Sequence, residues 1–133
     1  MTRDMDLIRE ILLKLEAWPL EAGQVFIIEP TDLVTVIPDY DVAQISYHMN
    51  LISAAGFIND GDGTSGPMLG FLFCGLTWRG HDFLDSVRDP AIWKATKEGA
   101  SKAGGFSLDL LGALAKGLLK KKIEEHTGVK LDL

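Results

Sequence analysis

The sequence predicts an α+β fold: a winged-helix-like domain of helices with a small antiparallel β wing, followed by C-terminal helices. Three observations carry this reading. Met5, Ile8, Ile11, Leu12 and Leu15 recur at helical spacing near the start. A second periodic segment, 41–55, ends at Gly56 and runs into the β-like Phe57–Asn59. A turn-rich stretch, 60–67, then separates it from another β-rich run around Leu69–Thr77. Helix, glycine stop, strand, loop, strand is the order of the third helix and wing of a winged helix.

The first helix is expected over about 4–17, with Asp4 and Asp6 at its positive N-terminal end and Pro19 and Gly23 closing it. Gln24–Glu29 and Asp32–Ile37 are rich in β-formers, so the spacing predicts a hairpin turning at Glu29-Pro30-Thr31-Asp32. Asp41 and Gln44 have capping-box spacing for the next helix. Its core face is predicted to be Val42, Ile45, Met49 and Ile52. After the wing, 79–87 reads as helical, and Asp89-Pro90 can cap a fresh helix that Gly99 interrupts and Gly104-Gly105 stops. Ser107 caps a last helix to about His126, striped with Leu108, Leu111, Leu114, Leu118 and Ile123. The expected organisation is a core domain at 1–89 and a helical extension at 90–133, packed on the core or used for self-association through 107–126.

Charge sharpens the functional question. From Leu15 to Trp78 there is no lysine or arginine, yet there are eight carboxylates. Residues 1–89 carry five cations against fourteen acids, a net −9, while 90–133 carry eight lysines against five acids, a net +3. Duplex DNA is held largely by cations that neutralise phosphates, so an acidic front disfavours nucleic acid. The longest nearly apolar run, Pro67–Leu76, is about half the ~20 residues a membrane-spanning helix needs. With no cationic start leading into an apolar segment, a cytoplasmic location is expected. The single cysteine, Cys74, excludes an intrachain disulfide and is expected to be buried and inert.

Three strings carry a resemblance: Arg3-Asp4-Met5-Asp6-Leu7-Ile8-Arg9, Ile45-Ser46-Tyr47-His48, and Gly75-Leu76-Thr77-Trp78-Arg79-Gly80-His81-Asp82-Phe83-Leu84-Asp85. With Ala55-Gly56-Phe57-Ile58, Arg88-Asp89 and Trp93, they resemble a family of short bacterial and prophage proteins of unknown function. The likeness covers about residues 2–98 and implies a winged-helix-like fold carried on mobile elements. It implies no catalytic residues, and 24–40 fits it poorly.

Motifs with chemical potential mostly dissolve on inspection. Gly61-Asp62-Gly63-Thr64-Ser65-Gly66 spells a dinucleotide-binding pattern, but Pro67 and a β-like run follow where that site needs a helix. Asp60 and Asp62 begin like a calcium loop, but Ser65 and Phe71 stand where it needs Gly and Glu. His81 and Asp85 are i, i+4 and could join His48 around a divalent ion; the bland alternative has His81 orienting the helix start and Trp78 filling the core. No serine or cysteine nucleophile arrangement stands out, so neither an enzyme nor a cofactor is expected.

What remains is the helix at 41–55. With its core face as predicted, Tyr47 and Leu51 lie nearly opposite, flanked by Gln44 and His48. An aromatic, a leucine and uncharged polar groups in place of Lys and Glu suit a protein-contact surface, unless 24–37 or the tail covers them. The leading expectation is therefore a non-enzymatic interaction module that binds a host or phage protein through an acidic, partly apolar front. The alternative is a dimeric DNA-binding regulator that draws cations from Lys116, Lys120, Lys121 and Lys122, a cluster equally suited to an acidic partner. A metal-dependent enzyme around His81 and Asp85 is the weaker third reading.

Overall fold

A computed structural model describes residues 1–61, 71–105 and 107–132. Among them are six helices and a two-stranded antiparallel sheet, an α+β arrangement. The chain divides into two compact units, Met1–Asp82 and Phe83–Leu133. No described helix is long and apolar enough to cross a membrane.

In the first unit, α1 spans Met5–Glu16 and buries Met5, Leu7, Ile8, Ile11, Leu12 and Leu15 on one face. The Asp4 carboxylate caps it by accepting from the backbone N–H groups of Asp6 and Leu7. Strand β1, Phe26–Ile28, follows, and then comes a departure from the predicted hairpin. Residues Pro30–Val34 form a short helix, α2, instead of a strand. Pro30 occupies the first turn, where its missing N–H costs nothing. Glu29 and Asp32 cap that turn reciprocally, and Asp32 accepts from the Glu29 N–H at 2.9 Å. The same four residues that read as a β-turn are thus a helix start. The partner of β1 lies far along the chain, in β2, Phe71–Phe73, with Ile27 opposite Leu72.

Helix α3, Val42–Ala54, starts with the expected capping box of Asp41 and Gln44. It packs against both α1 and α2. Beyond Gly56, Ile58 bridges antiparallel to Leu76, and Asn59 exchanges backbone bonds with Gly75 and Cys74. Cys74 is half-buried where full burial was expected. The loop motif at 61–66 lies outside the described residues beyond Gly61.

Helix α4, Trp78–Val87, begins at the end of this hairpin. Thr77 caps it by accepting from the Gly80 N–H at 3.0 Å, and its hydroxyl donates to the Gly56 carbonyl. Gly80 lies so close to Phe57 that a Cβ there would overlap the Phe57 carbonyl. Trp78, expected in the core, is 84% exposed, because the helix start turns Gly80 inward in its place.

In the second unit, α5 runs Pro90–Ala103, capped by Asp89 with Pro90 in the first turn. Gly99 was expected to interrupt it but lies within it, facing Leu114 of α6 (Leu108–Thr127), whose methyl groups are at ordinary contact distance from a Cβ built there. Ile92, Trp93, Thr96 and Ala100 of α5 and Leu111 and Ala115 of α6 are buried. Buried Thr96 keeps its hydroxyl satisfied on the Ile92 carbonyl at 2.7 Å.

Candidate functional site

Helix geometry sorts the residues of α3 into two faces. Ile45, His48, Met49 and Ile52 are buried, while Ala43, Tyr47, Asn50 and Ala54 are exposed. The exposed set is spaced i, i+4, i+7, i+11, so at about 100° per residue it forms one narrow stripe opposite the core. Val42, predicted to face the core, is 43% exposed, and His48, predicted to flank the contact surface, takes the core position instead.

His48 can be buried because both ring nitrogens are satisfied. The Asp4 N–H donates to Nε2 at 2.7 Å, and Nδ1 lies 2.7 Å from the Gln44 carbonyl, to which it donates. A backbone donor on Nε2 leaves the proton on Nδ1, so these partners select the neutral tautomer. The same Asp4 accepts from the Tyr40 hydroxyl at 3.0 Å. Burial, then the bond to Asp4 and the charges of Asp4, Asp6 and Asp39, push the Tyr40 phenol up to about 12. Two of the sequence strings therefore meet here: the start of α1 is pinned to α3 through His48 and to the loop before α3 through Tyr40.

Tyr47 lies beside this anchor, its ring edge-on to His48 with centroids 5.4 Å apart and planes at 77°. A buried, doubly bonded imidazole thus braces an aromatic that is 36% exposed. Leu51 is half-buried at the margin of the stripe. Gln44 is also half-buried, and its side-chain oxygen accepts from the Asp41 N–H at 3.0 Å. Of the four predicted contact residues, only Tyr47 is central to the open face. Ala43, Asn50 and Ala54 belong there too. Their signal in the sequence is the run of small or neutral residues at helical spacing.

The predicted cationic group is dispersed. Lys116 and Lys120 share one side of α6, but Lys121 and Lys122 lie about 100° and about 200° further round the helix from Lys120. Lys122 is held at 2.8 Å by Asp89. The Asp89 carboxyl is in turn held below its usual range, first by the bond from Lys122 and next by the Ile92 N–H. The residues of the metal alternative each lie against another partner. His48 has both nitrogens committed, His81 lies 3.9 Å from Glu16, and Asp85 pairs with Arg88 at 2.8 Å. No group of three or more potential ligands occurs among the described residues.

Comparison with known proteins places these features in context. Residues 2–107 match a family described as hypothetical protein (DUF2513). The chain is also similar to an uncharacterized protein of Haemophilus influenzae, 32% identical over 128 residues, covering 92% of this chain and 99% of the relative. No solved structure matches.

Proposed function

The chain belongs to the DUF2513 family of hypothetical proteins, and we propose that it is a non-enzymatic interaction module that binds a host or phage protein through the outer face of α3. The observation that carries this is the stripe Ala43, Tyr47, Asn50 and Ala54: open, uncharged and braced from behind by His48. A solvated helix back normally carries charge, whereas a stripe of small residues around one supported tyrosine permits close approach with an aromatic anchor. The stretch 15–78 that carries α3 has eight carboxylates and no lysine or arginine, which favours a partner with a basic surface.

The fold is read as winged-helix-like. In support, the element order is helix, strand, helix, helix and then the antiparallel pairing around Ile58 and Leu76, with β1 paired to the second arm through β2. In that reading α3 takes the place of the recognition helix, with protein in place of DNA. The test is affinity capture from bacterial lysate at physiological salt. Tyr47→Asp and Ala54→Lys should each lose a stoichiometric partner while keeping the wild-type melting profile. Lys116→Glu should retain it. Retention by both stripe variants would overturn the assignment.

A further inference from the structure

A second feature of the same front concerns its sheet. Val25 and Ile27 are 55% and 62% exposed, while Ile28 is fully buried, so one face of β1 is open and apolar. Leu72, paired opposite Ile27, extends that face. Among the described residues β1 has one strand neighbour, β2, so alternate N–H and C=O groups along its other edge have no ladder. Natural edge strands are usually blunted by lysine, proline or a bulge. Here the exposed positions are valine and isoleucine, and no lysine lies anywhere from Leu15 to Trp78. The acids Glu21, Glu29 and Asp32 flank the strand in sequence, all of them exposed.

We infer that β1 is a docking edge for an extended, cationic segment of a partner protein, which adds as a further strand of the sheet. Charge decides between occupants. A second copy would set one uncompensated acidic segment against another, whereas a segment alternating apolar residues with lysine or arginine satisfies both the open apolar face and the acids. The inference rests on the reading of this chain as an interaction module but uses a different surface from α3, and the two fail separately.

The probe is a fluorescein-labelled nonapeptide of alternating valine and lysine, measured by polarisation against the full chain at physiological salt. A control peptide has the same sequence with alternate backbone nitrogens methylated, which keeps the charge and removes donors on one edge. Binding of the plain peptide is expected to weaken roughly tenfold or more in the methylated one. Ile27→Lys should weaken it similarly with an unchanged circular dichroism spectrum, and Tyr47→Asp should leave it intact. Equal binding of the two peptides would reduce the contact to charge alone and overturn the proposal, as would no binding of either. Self-association of the chain that Ile27→Lys abolishes would also overturn it, because the occupant would then be a second copy.

Discussion

Gly80→Ala gives a prediction whose sign is decided by geometry. In an open helix this change is favourable by about 1 kcal/mol, because alanine loses less backbone entropy than glycine. At Gly80 the added Cβ would fall inside the contact distance of the Phe57 carbonyl oxygen, 3.0 Å from its carbon and 3.2 Å from its Cα. All three are backbone atoms, and the Phe57 carbonyl also accepts from the Thr77 N–H at 3.0 Å, so no side chain can rotate away. Either α4 moves off the 57–59 segment or the bond that starts the helix is lost. Overpacking of this kind costs ~1–3 kcal/mol, and an unyielding backbone puts it at the upper end. A net loss of about 2 kcal/mol is expected, or roughly 7 °C in melting temperature for a chain of this size. Thermal and urea melts of the intact chain provide the assay. Gly112→Ala on α6, with nothing within 4 Å of its Cβ, should shift the other way by about 1 kcal/mol. A Gly80→Ala chain as stable as the wild type would refute the close approach and the argument built on it.

Two further outcomes follow from the anchor beneath Tyr47. His48→Ala orphans the Asp4 N–H and opens a cavity beneath α3, so urea unfolding should show a loss of about 3 kcal/mol; a change under about 1 kcal/mol would mean the imidazole is not a tie. The Tyr40 phenol binds its proton more tightly folded than unfolded, where its ordinary value is 10.0, and about 12 in the fold. Its contribution is therefore fully present below pH 10 and lost as pH rises from 10 towards 12. Denaturant midpoints measured across that range should fall with pH in the wild type and fall less in Tyr40→Phe; parallel curves would contradict the placement of Tyr40 against Asp4.

How much of this was legible in the sequence depends on how local the signal was. The caps at Asp41, Asp89 and Ser107 were readable because a side chain reaching its own next turn needs no tertiary information, whereas Asp4, read only as a charge at the positive end of α1, is its cap. Within 24–37 the first strand stands as β1, but the turn and the second strand were misread because Pro30 and Asp32 serve a turn and a helix start equally well. The deciding fact, that β1 pairs with the distant β2, is not local. His48 and Val42 exchanged roles for a related reason. Polarity argued for histidine outside and valine inside, but a backbone donor from Asp4 makes the imidazole a satisfied core residue. Trp78 was expected to fill the core beside a helix start oriented by His81, and the approach of Gly80 to Phe57 turned it out. The acidic, lysine-free front was plain from composition, and which part of it stands open needed the fold.

The claim that the α3 stripe binds protein is tested most directly by site-specific photo-crosslinking in cells. A photoreactive amino acid is placed at Tyr47 in one chain and at Lys121 in another, and the adducts are identified by mass spectrometry. The account predicts one discrete protein adduct from position 47, blocked by Ala54→Lys in the same chain, and none of that mass from position 121. A discrete adduct from position 121 alone, or one from position 47 that survives Ala54→Lys, would contradict it.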